Sequence, residues 1–306
     1  MCKSASNYPR VGETLAINGA EVIACVAYAE GLRWRDGALW WSDIRAGTVH
    51  RLVPRNAPET IARDITSASG LGWTSNGKFL VASILDSTIY ELKSSGLAAP
   101  FSAFDQHNCL STNDMTVMGT RVYVSYAGKT FEPGDENNRA AGWGGILLID
   151  GNTGIGRPTA TGLNMPNGMA ITPDGKTMFV AETFGHRISS FPILPDGSLG
   201  ERSLFSETIG SPDGMSLDAD LGLWVGMSNS NEFSRLDRSG GISDRIIGLG
   251  EDWWTIACVL GGEDGRTLFM AVARREPAGI FEGHGEGFIL AKRVTVPAAA
   301  CPIDPQ

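Results

Sequence analysis

The sequence predicts an all-β fold, and three features of the chain support that prediction. It contains 39 glycines among 306 residues, with 19% charged and 42% hydrophobic residues, a composition that suits short strands joined by tight turns. Asn-Gly and Asp-Gly pairs, which are typical of β-hairpins, separate apolar runs along the chain. The hairpins recur at a spacing of about 40 to 54 residues, which indicates a repeated structural unit.

Six repeat units share one order of elements: a short strand, a turn, a strongly apolar strand and, in most units, a third strand. The units begin near residues 29, 69, 112, 166, 212 and 255. Four antiparallel strands in roughly 40 to 50 residues are typical of a β-propeller blade. We therefore predict a single domain over residues 1–306, a six-bladed β-propeller with four-stranded antiparallel blades around a central channel. A pair of β-sandwiches is the alternative architecture.

Two segments outside this regular pattern have predicted places in the propeller. Residues 11–27 precede the first unit and are expected to close the last blade. Residues 127–143 lengthen the third unit and are expected to form a long surface loop, since they are rich in Gly, Glu and Asn.

Charge and cysteine content exclude several classes of protein. The net charge of -9, the pI of about 5.0 and the lack of a Lys/Arg cluster argue against a nucleic-acid partner. No apolar run reaches the roughly 20 residues that span a bilayer, and the first residues lack the apolar stretch of a signal peptide. The five cysteines are scattered without a Cys-x-x-Cys pair, so we expect reduced thiols and a cytoplasmic protein.

The first residues of the inner strands should point into one central space, and four of them carry side-chain oxygens. The positions read from the repeat are Glu30, Gly70, Asn113, Asn167, Asp213, and Thr255 or Ile256. Two carboxylates and two amides suit a hard divalent cation, so we expect a metal-containing channel. Calcium fits best, and magnesium, manganese, zinc or iron are the alternatives. Asn and Asp before Gly are also common in turns, which is the competing interpretation.

The same residues carry a resemblance to a known family. The motifs are Glu30-Gly31, Asn113-Asp114, Pro166-Asn167-Gly168-Met169, Pro212-Asp213-Gly214-Met215 and Gly261-Gly262-x-Asp264. Together they resemble the senescence marker protein/gluconolactonase (regucalcin-like) family over about residues 29–273. The resemblance implies a six-bladed propeller with one divalent cation in its channel, and it implies that the protein is a lactonase, because members are mainly lactonases.

The resemblance also assigns roles to individual residues. Glu30, Asn167 and Asp213 match the metal ligands, and Asn113 matches the residue that contacts metal-bound water or substrate. Asp213 matches the general base. The chemistry expected is hydrolysis of a cyclic ester, in which the metal polarises the carbonyl and activates water while a carboxylate takes the proton.

One departure from the family pattern concerns the substrate. Sugar lactonases of this family read Arg-x-Asn-Asp-Gly in the third unit, whereas this chain reads Ser111-Thr112-Asn113-Asp114-Met115. The sugar-binding Arg is absent, so we expect a lactone or other ester that is less polar than an aldonolactone. Besides Asn113 and Ser111, the candidate substrate-binding residues are Tyr126, Phe131, Trp143, Phe184, His186, Met227 and Trp253. For His186 a solvated turn histidine is the competing interpretation.

Two other functions remain open at this point. The same site could serve a phosphotriesterase or fluorophosphatase, or the protein could be a non-catalytic calcium-binding propeller. A serine hydrolase has no support, because the chain has no Gly-x-Ser-x-Gly motif. The expected partner is a small lactone or ester, with no nucleic acid and no membrane, and the expected state is a monomer or homodimer.

Overall fold

Six four-stranded antiparallel sheets make up the computed structural model, which describes residues 9–15, 18–96, 98–103, 111–128, 142–276, 280–281 and 285–303. Within each sheet, strands that are consecutive in the chain lie side by side, which is the topology of a propeller blade. The predicted six-bladed propeller is therefore confirmed.

Each blade has an inner strand, two middle strands and an outer strand. The inner strands are β2 (Ala29–Arg35), β6 (Ala68–Trp73), β10 (Thr112–Met118), β14 (Pro166–Ile171), β18 (Pro212–Leu217) and β22 (Trp253–Gly261). The second strands are β3 (Ala38–Asp43), β7 (Phe79–Ser83), β11 (Arg121–Tyr126), β15 (Thr177–Glu182), β19 (Leu223–Met227) and β23 (Thr267–Arg274). The third strands are β4 (Thr48–Leu52), β8 (Thr88–Leu92), β12 (Gly144–Asp150), β16 (Arg187–Pro192), β20 (Glu232–Leu236) and β24 (Gly287–Arg293). The outer strands are β5 (Glu59–Ala62), β9 (Ala98–Ala103), β13 (Gly156–Leu163), β17 (Ser203–Glu207), β21 (Ile242–Ile247) and β1 (Glu21–Val26).

The last blade contains both the first and the last strand of the described chain. Its outer strand β1 pairs antiparallel with β24, with Glu21 opposite Ala291 and Val26 opposite Gly287. Because the N-terminal strand completes the sheet begun by β22, the ring is closed by backbone hydrogen bonds. Closure of this kind protects the edge that an open sheet would expose.

The hydrophobic core lies between neighbouring blades. Between the second and third blades, Leu80 and Ile89 pack against Met115, Val122 and Val124, all without exposed surface. Burial of each such side chain contributes about 1.5–3 kcal/mol. Five further clusters of buried residues are arranged in the same way around the ring, so the inner strands are held rigidly by the sheets packed beside them.

The inner strands share one irregularity, a β-bulge near their first residues. In β14, Pro166 pairs with Glu182 and Met169 pairs with Val180, so one extra residue is inserted on the inner strand. The same shift in register occurs in the inner strands of the other five blades. A bulge re-aims the side chains beside it, and here it lies at the strand end where the oxygen donors were predicted.

The C-terminal segment crosses the ends of three blades. The backbone N–H of Ala298 donates to Gly265 O at 2.9 Å in the last blade, and that of Ala299 donates to Leu217 O at 3.0 Å in the fifth. Further on, the N–H of Ile303 donates to Pro173 O at 3.0 Å in the fourth. This segment, residues 297–303, thus ties three blades together outside the sheets.

The expectation of reduced thiols is wrong for Cys25, which is disulfide-bonded. Cys258 and Cys301 are free. Spacing in the sequence did not indicate this bond, because a disulfide depends on which cysteines the fold brings together. The cysteines therefore do not support the predicted cytoplasmic location.

Two predictions from the sequence concern residues that the structure does not describe or describes only in part. Phe131 lies outside the described residues, as does most of the predicted loop at residues 127–143. Among the residues that are described, no helix has the length and apolar character needed to cross a membrane.

Candidate metal centre

The bulges place one residue of each inner strand in the same position of its blade. In five blades this residue follows the last regular pair before the bulge, whereas in the first blade Glu30 is itself in that pair, opposite Ser42. The six residues are Glu30, Ser69, Asn113, Asn167, Asp213 and Ile256. Five of the six carry side-chain oxygens. The prediction of Gly70 for the second blade was wrong by one residue, because the glycine aligns with the glycines that follow the donors elsewhere.

Those following glycines explain how the donors come close together. A Cβ on Gly31 would lie 2.5 Å from Ser69 O, and one on Gly168 would lie 2.5 Å from Asp213 O. Gly70 and Gly214 meet the next inner strand in the same way, at 2.5 and 2.7 Å. Such distances leave no room for a side chain, so adjacent inner strands approach with backbone against backbone.

Hydrogen bonds between blades hold several of the donors in place. Ser69 Oγ donates to Asn113 Oδ1 at 3.1 Å. The Asn167 amide donates to Thr183 Oγ1 at 3.3 Å, and that hydroxyl donates to Pro212 O at 2.8 Å. Glu30, Asn113, Asn167 and Asp213 are each no more than 6% exposed, so they form a buried polar centre in the channel.

Two oxygens of this centre have no protein partner. Asn167 Oδ1 and Asp213 Oδ1 are both buried and accept no hydrogen bond from any residue that the structure describes. Leaving a buried acceptor unsatisfied costs about 1–3 kcal/mol, and native proteins rarely tolerate it without a reason. A bound cation would satisfy both oxygens, so the donor set fits a metal ion.

The electrostatics of the centre point in the same direction. Burial raises the pKa of Glu30 well above its usual range, and the charges of Asp213 and Asp114 raise it further against the lowering effects of the Gly31 N–H and Arg33. Burial also raises the pKa of Asp213, with the charge of Asp114 added, while the neighbouring Asn167 side chain and the Gly214 N–H oppose the rise. Two buried carboxylates that repel each other are stabilised by a cation between them.

The residues that could hold a divalent ion are Glu30, Asn167 and Asp213. No three His, Cys, Asp or Glu side chains within the described ranges are placed to hold a metal together. The candidate donor set accordingly combines two carboxylates with the amide oxygen of Asn167. Oxygen-only ligands suit Ca²⁺, Mg²⁺ or Mn²⁺ better than Zn²⁺, which favours His and Cys.

Sequence reasoning gave no role to two other residues near this centre, Asp114 and Tyr28. Asp114 stands where four blades have glycine, and its charge acts on both buried carboxylates. Tyr28 is buried, its ring lies 5.9 Å from that of Trp254, and its pKa is raised well above its usual value by burial and by Asp213 and Glu30. The available signal was the departure of Asp114 from the glycine repeat.

The predicted substrate residues of the third blade lie at the same end of the channel. Ser111 is 3% exposed, has a φ of 57° and donates its backbone N–H to Ser87 Oγ at 2.9 Å. Tyr126 pairs with Thr112 across the bulged end of the blade and is buried. Neither residue brings a positive charge to the position of the missing Arg.

The remaining predicted wall residues occupy different environments. Trp143 is 39% exposed, whereas Trp253 and Met227 are buried, Trp253 against Phe288. Phe184 is half-buried in a 3-10 turn, Thr183–Gly185, which follows Glu182 and therefore lies at the Asn167 end of its blade. The buried pair contributes to the core between blades.

His186 lies outside the polar centre. It is exposed, its φ is 48°, and its Nδ1 lies 3.2 Å from Gly210 O. It lines a cavity of about 480 Å³ whose walls contain none of the oxygen donors; the wall residues are Gly185, His186, Arg187, Ser189, Arg202, Leu204, Glu207 and Thr208.

Comparison with known proteins gives this arrangement a family. The sequence profile of the SMP-30/gluconolactonase/LRE-like region matches residues 28–274. The chain belongs to the SMP-30/gluconolactonase family. That match covers every inner strand and all four predicted oxygen donors, so the family predicted from the motifs is confirmed.

Individual relatives cover most of the chain. It is 29% identical to the 6-deoxy-6-sulfogluconolactonase of Pseudomonas putida, over 88% of this chain and 91% of the relative. It is 24% identical to the pentonolactonase XacC of Haloferax volcanii, over 80% and 81%. Its fold is similar to that of a calcium-binding regucalcin from Agrobacterium tumefaciens, with a TM-score of 0.73, 19% identity, and coverage of 92% and 95%.

Proposed function

We propose that this protein is a divalent-cation-dependent lactonase that hydrolyses the ring ester of a small lactone. The observation that carries the proposal is the pair of buried, unpartnered oxygens, Asn167 Oδ1 and Asp213 Oδ1, at equivalent positions of adjacent blades. Family membership and the names of the lactonase relatives support the reaction class.

Glu30, Asn167 and Asp213 would hold the cation. When bound, it would supply Lewis-acid polarisation of the lactone carbonyl and would lower the pKa of water. A regucalcin relative is described as calcium-binding, which supports calcium as the first ion to test. In the third blade, Asn113 has its Oδ1 engaged by Ser69, so its amide NH₂ is the group that can donate to a substrate oxygen.

Asp213 is the proposed general base. It takes a proton from the attacking water as the water oxygen bonds to the carbonyl carbon. The ring C–O bond then breaks, and Asp213 returns the proton to the leaving ring oxygen, which gives a hydroxy acid. Its burial in a fixed backbone position excludes bulk water from this proton transfer and holds the carboxylate in one orientation.

The substrate proposed is less polar than an aldonolactone. Ser111 stands where sugar lactonases of the family have Arg, and its backbone is fixed in a buried turn by Ser87. Without a guanidinium, a substrate with several hydroxyl groups would lose charge-assisted hydrogen bonds, which are the stronger kind.

A sugar lactone is the second candidate, and the comparisons favour it. The relatives at 29% and 24% identity are named for a sulfogluconolactone and a pentonolactone. If the substrate is a sugar lactone, another residue must take the place of the missing Arg in binding the sugar hydroxyl groups.

A hydrolysis screen decides between these substrates and tests the reaction itself. The purified protein, stripped of metal, is assayed against sugar, aliphatic and aromatic lactones, with paraoxon as a phosphotriester, in the presence of Ca²⁺, Mg²⁺, Mn²⁺, Zn²⁺ or Fe²⁺. The proposal predicts cation-dependent opening of an apolar lactone at a higher kcat/KM than of gluconolactone. Preference for sugar lactones would support the second candidate, and cation binding without any hydrolysis would favour a non-catalytic calcium-binding protein.

A further inference from the structure

Arg33 forms a bridge across three blades beside the candidate metal centre. It belongs to β2, yet its Nε donates to Leu71 O at 3.0 Å in the second blade. Its Nη2 donates to Asp114 Oδ1 at 2.7 Å and to Met115 O in the third blade. Its Nη1 donates to Leu32 O at 2.8 Å. A guanidinium with donors to three successive inner strands is held in a single position.

The partner of Arg33 is a third carboxylate close to the metal ligands. Asp114 is 6% exposed, and its Oδ1 also accepts the Met115 N–H at 2.8 Å. It stands at the position where four of the blades have a glycine packed against the next strand. A Cβ on Gly70, the residue after the donor Ser69, would lie 2.7 Å from the Cα of Asp114, and Asp114 itself follows the donor Asn113. Asp114 therefore belongs to the same ring of inner-strand ends as the donors.

Three carboxylates would give the centre a charge of about −3, which exceeds what one divalent cation balances. Arg33 supplies the missing positive charge at hydrogen-bond distance from Asp114. The side chain of Arg33 is 25% exposed and that of Asp114 is 8% exposed, so water screens this pair less than a surface ion pair.

We propose that Arg33 is a positioning residue that fixes Asp114 beside the cation site and balances its charge, so that the site acts on a bound cation with a net charge of about −2. The proposal rests on the divalent-cation site of the proposed function. It assigns to the Arg33–Asp114 pair a role in setting cation affinity and charge preference, separate from the three ligands.

Cation affinity in three variants tests this assignment. Arg33→Met leaves Asp114 unbalanced and should tighten Ca²⁺ binding about tenfold, because a unit charge in a medium of effective dielectric about 20 is worth at least that much at short range. Asp114→Asn leaves Arg33 unbalanced and should weaken Ca²⁺ binding about tenfold. The double variant should return to within threefold of the wild type. Titration calorimetry of the metal-free proteins measures each dissociation constant.

A trivalent probe sharpens the test, since a purely electrostatic effect scales with the charge of the ion. Tb³⁺ should show a change of about thirtyfold in Arg33→Met where Ca²⁺ shows about tenfold. Arg35→Met is the matched control: Arg35 is on the same strand, but its side chain is 47% exposed and pairs with Asp36. The control should leave both dissociation constants within threefold of the wild type.

The outcomes separate this inference from the proposed function. If the wild type binds no divalent cation, the proposed function fails and this inference fails with it. If the wild type binds Ca²⁺ but Arg33→Met and Asp114→Asn lower only the melting temperature and leave the dissociation constants unchanged, Arg33 is a structural bridge and only this inference is overturned. Should Arg33→Met not fold, two other variants give the same decision. Arg33→Lys keeps the positive charge, so its Ca²⁺ dissociation constant should stay within threefold of the wild type. Asp114→Asn should weaken Ca²⁺ binding.

Discussion

Exchanging the side chains of Asn167 and Asp213, which lie on adjacent blades, separates the two roles assigned to Asp213, those of cation ligand and general base. Asp213→Asn removes both a ligand charge and the proposed base. Combining it with Asn167→Asp restores the two-carboxylate, one-amide composition but moves the carboxylate by one blade. We expect the single variant to bind Ca²⁺ at least about tenfold more weakly, which is about 1.4 kcal/mol. The exchanged double variant should recover cation affinity to within about tenfold of the wild type.

Lactone hydrolysis should stay low in both variants. Loss of a positioned general base lowers kcat by about 10²–10⁴, or roughly 2.7–5.4 kcal/mol of transition-state stabilisation. The assay follows acid release at saturating cation, so that weaker cation binding does not contribute to the loss. Recovery of kcat to within tenfold of the wild type in the exchanged variant would refute the assignment of Asp213 as base, because either position would then serve.

Stability without cation should change in the opposite direction. Asp213 is buried, repelled by Asp114 and left with one unpartnered oxygen. Removing its charge should stabilise the metal-free protein by about 1–3 kcal/mol, which raises the melting temperature by roughly 1.5–5 °C for a chain of this size. A lower melting temperature of metal-free Asp213→Asn would contradict the view that this centre stores unfavourable electrostatic energy.

Three further predictions concern other parts of the molecule. Glu182 has no exposed side-chain surface and accepts hydrogen bonds from Arg187 and Ser189. These and its other hydrogen bonds lower the pKa of Glu182 despite its burial. Glu182→Gln should therefore cost about 2–4 kcal/mol of unfolding free energy near pH 7. Since the pKa of Glu182 is lower in the folded state than in the unfolded state, this cost should shrink as the pH falls through the folded-state pKa. Urea unfolding at several pH values measures the cost. As a control, Glu207→Gln at an exposed position should cost little at any pH. Removing residues 297–306 deletes the hydrogen bonds to three blades and should lower stability by roughly 2–6 kcal/mol, whereas removing residues 304–306 alone keeps them and should not. Ser111→Arg should raise kcat/KM for gluconolactone relative to an apolar lactone by about tenfold, and Ser111→Met, of similar length without charge, should not.

The repeat in the sequence predicted the fold because its cause is local. Hairpin turns such as Asn76-Gly77 and Asp174-Gly175 need residues that tolerate positive φ, and the apolar runs beside them must be buried between blades. The same periodicity located Glu30, Asn113, Asn167 and Asp213, since residues in one phase of a closed repeat must share one environment.

What the sequence did not predict depends on contacts between blades. In the second blade the strand pairing shows that the donor is Ser69 and not Gly70, although the match of Ser69-Gly70 with Asn167-Gly168 and Asp213-Gly214 carried that signal in the sequence. The bridge from Arg33 to Asp114 spans 81 positions of the chain, so no local pattern reveals it. The disulfide of Cys25 likewise has no signature in the spacing of the cysteines.

Cation dependence of hydrolysis is the most direct test of the account. The wild-type protein is dialysed against EDTA, its metal content is measured by mass spectrometry, and its activity on its best lactone is recorded before and after Ca²⁺ is restored. We predict that hydrolysis falls at least about a hundredfold in metal-free protein and returns when Ca²⁺ or another divalent cation is added back. Full activity in protein shown to be free of metal would contradict the assignment of Glu30, Asn167 and Asp213 as the ligands of a catalytic cation.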